Sequence, residues 1–258
     1  NIILFLMIVL NLFWVFNSPG YFEKYLFDKD RYFNSNTVGN ILLYTSIYIN
    51  IFIRKLNWKC SKIISIIFYA ISFWGIMNTQ SRGSLITLLA FITLDIIIPK
   101  KLWRKKSFSL LISTVIVLFG VLFTYVYTMM YANGVNFVIP IIDKPLFTGR
   151  EIIWQNFYIS ITQNKISLFF GLGSSADLWS GNALNLHNSY LTIITNFGIV
   201  GYIMYYLFWI IQISKLFNLE RLSDYQVRLL LGFLCVLING YIEVSILWHV
   251  MFFFNFMF

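Results

Sequence analysis

Most of this chain is made of apolar runs close to a bilayer thickness in length, parted by short polar loops. A helix needs about 20 apolar residues to cross the hydrocarbon. Inside it every backbone N–H and C=O must find a partner within the chain, which a helix provides. The expected fold class is therefore all-α: a polytopic transmembrane helical bundle. Composition agrees. The 258 residues are 59% hydrophobic and 11% charged, with a mean hydropathy of +0.76, where soluble domains carry about 25% charged residues.

Six runs read as spans: residues 1–16, Thr37–Ile53, Ile63–Met77, Ser84–Ile98, Phe108–Tyr131 and His187–Ile213. Ser18-Pro19-Gly20 is expected to end the first as a turn. The remainder, 229–258, is one long helix or two short ones. Two are favoured, because Asn239-Gly240 is a turn signal and Glu243 is costly at mid-bilayer. The whole of 1–258 is then a single integral membrane domain with seven or eight spans. It opens at Asn1, without Met or a basic leader, and is expected to be an N-terminally truncated piece.

The net charge of +9 follows the loops. Those after the second, fourth and sixth spans carry 12 of the 19 Lys and Arg in short stretches, and the opposite loops carry 7 over a longer total. The basic loops are thus placed in the cytoplasm, and the charge needs no nucleic-acid partner. Cys60 and Cys235 imply neither a disulfide framework nor a metal site.

One long loop, about 133–186, interrupts the pattern on the extracytoplasmic side. Thr148 with Glu151 three residues on fits a capping box. Ile153, Phe157 and Ile161 repeat at helical spacing, so a short amphipathic helix lying on the membrane surface is expected. Gly171 and Gly173 break it. They mark either a chain reversal or a phosphate-cradling turn.

Four polar residues on this side invite chemistry. Arg82, at the tip of the hairpin Asn78–Gly83, is either an interfacial cation or a phosphate ligand, which its planar fork suits. Arg150 opens the surface helix, where it opposes the helix dipole; it is a solvated charge, paired with Glu151 or Glu23, or a substrate ligand. His187, beside Asn188, is an amphipathic anchor or a general base. Glu243 needs a partner in its apolar setting; either a cation such as Arg82 supplies it or the carboxylate is a base. His187 and His249 show no metal-ligand spacing, so no metal and no cofactor are expected.

Several stretches resemble the O-antigen ligase and polymerase superfamily. N-T-Q-S-R-G-S-L at 78–85 is similar to its S-R-G hairpin, and T-G-R-E-I-I-W at 148–154 to the start of its large periplasmic loop. F-G-L-G at 170–173, H-N-S-Y-L at 187–191 and F-G-I-V-G-Y at 197–202 resemble its later motifs, in the same order. R-Y-F-N-S-N at 31–36 resembles a further motif but lacks its Pro. The resemblance implies a metal-independent, inverting membrane glycosyltransferase. Its donor would be a glycan on undecaprenyl diphosphate at the outer face of the bacterial cytoplasmic membrane. Arg82 and Arg150 would hold the diphosphate, and His187 would serve as base or orienting group. Arg31, Asn188 and Glu243 join them as expected substrate contacts. The reading adopted is a polymerase of lipid-linked repeat units in O-antigen or capsule synthesis, with membrane lipids and a chain-length regulator as partners. An O-antigen ligase transferring glycan to lipid A core is the first alternative. A flippase for lipid-linked glycans is the second, and the near absence of charge within the spans counts against it.

Overall fold

The structure is a computed structural model, and it describes residues 2–27, 35–56, 59–135, 137–139, 144–147, 149–163, 165–173, 186–218 and 222–243. The described chain is helical apart from one two-residue antiparallel strand pair. It divides into two compact units, one formed by Asn1–Lys105 with Glu220–Cys235, the other by Lys106–Leu219 with Val236–Phe258.

The first unit is built on α2 (Ser35–Lys55), which packs against α1 (Ile2–Phe27), α3 (Ser61–Thr79) and α4 (Arg82–Ile96). Helix α2 is buried around its circumference, through Val38, Leu42, Leu43, Ile47, Ile49 and Ile53. Its polar groups are used inside the unit: the Asn11 amide donates to Thr45 Oγ1 at 2.8 Å and to Ser46 Oγ at 3.1 Å. The turn expected at Ser18-Pro19-Gly20 does not form; the α1 backbone stays helical to Phe27. Pro removes one N–H from a helix, a loss that membrane helices tolerate.

A short helix, α5 (Lys100–Trp103), lies in the basic loop after α4, and Lys100 and Arg104 pair with Asp224. The last helix, α10 (Asp224–Asn239), begins earlier than the expected 229. Ser223 and Gln226 form a capping box that the sequence reading passed over: the Ser223 N–H donates to Gln226 Oε1 at 2.9 Å, and the Gln226 N–H donates to Ser223 Oγ at 3.2 Å. Arg228, counted as a loop cation, therefore lies inside α10. Its Nε meets Asp95 Oδ1 at 3.2 Å, and both side chains are under a tenth exposed. The helix ends at Asn239, where the turn signal placed it; residues 244–258 lie outside the described residues.

In the second unit α6 (Lys106–Ala132) and α9 (Ser189–Leu216) pack side by side, with α7 (Arg150–Gln163) and α8 (Lys165–Phe170) against them. Strands β1 (Val138–Ile139) and β2 (Lys144–Pro145) pair in the loop after α6. Gly120 lets the two long helices close up: a Cβ there would sit 2.5 Å from the Tyr190 ring.

Burial is inverted relative to a soluble protein. In α6 the buried positions are Ser109, Ser113, Val117, Gly120, Thr124 and Thr128, while Leu111, Val115, Leu118 and Leu122 are exposed. The same holds for α3, which buries Ser65, Ser72 and Gly75 and exposes Ile63, Ile66 and Ile67. Small residues between helices and bulky ones outside are the membrane pattern. Among the described residues three helices, α3, α6 and α9, are long and apolar enough to cross a bilayer. The protein is an integral membrane protein of all-α, polytopic build.

Candidate functional site

In the second unit the candidate residues gather where α9 begins. The Trp154 indole donates to Leu186 O at 2.7 Å and so fixes the approach to the helix. His187 follows with φ of 48°, a left-handed conformation uncommon outside Gly, Asn, Asp and His. Asn188 is the N-cap, extended and fully buried, its side chain accepting from the Leu191 N–H at 2.8 Å.

The end of α10 docks here. In the turn that follows α10, the four successive carbonyls from Gly240 to Glu243 are all taken by Asn188, Ser189 and Arg150. The Ser189 N–H donates to Gly240 O at 2.8 Å. Asn188 Nδ2 donates to Tyr241 O at 2.7 Å, and Ser189 Oγ to Glu243 O at 2.8 Å. Arg150 Nη1 donates to Ile242 O.

This clamp sets the Glu243 carboxylate between Arg150 and His187. Its Oε1 receives Arg150 Nη2 at 3.0 Å, and its Oε2 lies 4.0 Å from His187 Nδ1. The latter is within reach of charge but beyond a hydrogen bond. Exposure rises across the group, from 13% for Glu243 through 17% for Arg150 to 34% for His187, so the imidazole is the member most open to a substrate. The partner Glu243 requires is thus Arg150 rather than Arg82. Glu151 is buried and accepts from the Gly149 N–H at 2.8 Å; Thr148, the other half of the expected capping box, lies outside the described residues.

The expected surface helix exists as α7, with its apolar face turned inward. Trp154, Phe157 and Ile161 form a core with Leu186, Leu191 and Ile194, and Ile153 is only partly buried. Of the stripe Ile153, Phe157 and Ile161 assigned to the membrane surface, Phe157 and Ile161 are covered by the protein itself, beside Trp154, whose indole finds a carbonyl within the unit. On the same helix Tyr158 shares a 2.6 Å hydrogen bond with Thr124, and burial pushes its phenol pKa up despite that bond.

The glycine turn at 170–173 is a chain reversal, and its amides are already engaged. Helix α9 kinks at Gly198 (φ 67°, ψ −170°), which frees carbonyls one turn back. The Leu172 N–H donates to Thr195 O at 2.6 Å and the Gly173 N–H to Asn196 O at 3.3 Å. The backbones touch: a Cβ on Gly198 would lie 2.2 Å from Phe169 O, and one on Gly171 would lie 2.5 Å from Asn196 C. These N–H groups cradle no phosphate.

Arg82 belongs to the first unit, where it is the half-buried opening residue of α4. Its hairpin is rigidly built. Gln80 is left-handed (φ 56°), the Ser81 and Ser84 hydroxyls are 3.0 Å apart, and Ser84 donates to Asn40 Oδ1 at 2.9 Å. Arg31 lies outside the described residues. Asn188, expected to bind substrate, has both ends of its amide on protein atoms. The residues that sequence reasoning missed are Ser189, Trp154 and the Gly240–Glu243 carbonyls. Ser189 and Trp154 lie within the quoted H-N-S-Y-L and T-G-R-E-I-I-W stretches; nothing local marks the carbonyls.

A polytopic helical membrane protein with a buried polar cluster at the mouth of one span is the class these features define. Residues 67–206, more than half of the chain, match the model of the O-antigen ligase family, and the chain belongs to that family. The matched segment contains Arg82, Arg150, His187 and Asn188 and stops short of Glu243. Comparison with curated proteins and with solved structures gave no match. Membership makes this a membrane glycosyltransferase-type protein with lipid-linked glycan substrates and gives no support to a flippase.

Proposed function

We propose that the protein polymerises undecaprenyl-diphosphate-linked repeat units at the extracytoplasmic face of the cytoplasmic membrane, for O-antigen or capsule. The observation that carries this is the Arg150–Glu243–His187 cluster, clamped where α9 starts. An acceptor hydroxyl attacks the donor sugar's anomeric carbon, the bond from that carbon to the diphosphate oxygen breaks, and the proton goes to His187. With Nδ1 turned towards Glu243, Nε2 takes it. Arg150 meets the charge that grows on the departing diphosphate. A single displacement inverts the anomeric centre. Guanidinium groups supply the counter-charge, so transfer by the purified protein is expected to survive EDTA. The diphosphate competes with Glu243 for Arg150, and Asn188 acts by holding the cluster.

The test is complementation of surface glycan in a null strain with the wild type, Arg150→Lys and His187→Ala, membrane protein levels being matched by blot. Glycan cut back to single carrier-linked units supports the polymerase. Normal glycan from both variants refutes the site. The family's description favours a second reading, a ligase that passes glycan to lipid A core. Long carrier-linked chains that never reach the core would identify it.

A further inference from the structure

The element that seats the second unit in the lipid is not the apolar stripe of α7, which is buried, but the edge formed by α8, its glycine turn and the α9 kink. Ile166 is 72% exposed, Phe169 50%, Phe170 68%, Leu172 36% and Phe197 57%. They form one patch, because the Gly171 and Gly198 contacts bind these backbones together. Lys165, also exposed, borders it.

The level of the patch can be counted along α9. Lys215 stands in the last turn, at the basic end of the helix. A hydrocarbon core of about 30 Å takes about 20 residues at about 1.5 Å each, which reaches back to the neighbourhood of Thr195. Phe197 and the Gly198 kink therefore lie at the far boundary of the hydrocarbon, and the backbone contacts hold α8 at that depth. Helix α6 agrees. Counted from Lys106, its own boundary falls near Tyr125 and Tyr127, and Trp154 packs edge to face against Tyr127 at the height where aromatic belts sit.

We infer that the α8 edge, through Ile166, Phe169, Phe170 and Phe197, is immersed in the acyl-chain boundary of the bilayer, with Lys165 at the lipid phosphates. The occupant is bulk lipid, and the patch continues the lipid-facing surface of α9 without a break. This stands whether or not the glycosyltransferase reading holds.

The test uses the full-length protein in phosphatidylglycerol/phosphatidylcholine vesicles, with Cys60→Ser and Cys235→Ala as background. Spin labels are placed one at a time through Ile166→Cys, Phe170→Cys, Gln155→Cys and Met204→Cys. Met204, exposed on the body of α9, calibrates lipid; Gln155, exposed on α7, calibrates water. The ratio of oxygen to water-soluble nickel collisions at 166 and 170 is expected to approach that at 204 and to exceed that at 155. A ratio at both positions equal to that at 155 overturns the inference. So does low collision with both reagents, which would mean that protein covers the face. The two positions are read independently, so one poorly folding variant leaves the other decisive.

Discussion

Arg150 makes two different hydrogen bonds with one planar group, to Ile242 O and to Glu243, and Lys cannot reproduce that fork. Arg150→Ala is expected to lower transfer about 10²–10³-fold, the usual loss for one preorganised electrostatic donor. Arg150→Lys should recover only part, measured with a purified lipid-linked donor in proteoliposomes. The glycines give a sharper contrast. Gly198→Ala and Gly171→Ala each drive a methyl into backbone atoms, and backbone cannot yield as a side-chain tip can. Both should fall well beyond the cost of about 1–3 kcal/mol typical of overpacking. Gly134→Ala, at a similar φ of 72° with nothing within 4 Å, should lose only about 1–2 kcal/mol of left-handed strain. Melting in detergent, followed by near-UV dichroism, would rank them. In the sequence Gly171 and Gly198 fall within F-G-L-G and F-G-I-V-G-Y and Gly134 in neither, but no stretch shows what each glycine meets. What separates them is a contact between residues about 30 apart, which no local pattern encodes. His187 and Arg150 stand out in sequence as polar residues in an apolar chain, but their common partner Glu243 lies some 55–95 positions away.

At the scale of elements, the spans were legible because hydrophobic length is a one-dimensional property. Helices α3, α6 and α9 match the expected spans to within a few residues at each end. The errors fall where side-chain bonding decides. The Ser223 and Gln226 box starts α10 early, and Ser223→Ala is expected to cost about 1 kcal/mol. Within α10, Arg228 turns inward to Asp95, which also accepts from Tyr69 OH at 3.2 Å. Asp95→Ala would leave a buried guanidinium without its carboxylate and should cost about 3–5 kcal/mol. Replacing both with Asp95→Leu and Arg228→Met should recover most of that loss, as a double-mutant cycle on detergent-melting midpoints would measure. The orientation of α7 was not legible for a related reason. Its repeat fits either a bilayer or a protein core, and the indole of Trp154 settles which.

At the scale of the molecule, composition announced a membrane protein, and the inverted burial is what the structure adds: bulky residues outward, serine and glycine between helices. The division into two units was not visible, since α10 contributes to both and no break in composition marks the change. The site's assembly has a further consequence for how the protein is made. Ser189 and Glu243 are joined across 54 positions, and Arg150 and Glu243 across 93. A ribosome adding about 5–20 residues per second delivers the Gly240–Glu243 turn seconds after the loop that must grip it has been made. During that interval Asn188, Ser189 and Arg150 lack the carbonyls they hold in the finished protein, and among the described residues the site is the last part to close. A chain stopped at Asn239 should therefore insert its earlier helices normally but carry a loop that protease cuts near Arg150, whereas extending it through Glu243 should restore protection. Limited trypsin digestion of inverted and right-side-out vesicles would read that difference directly.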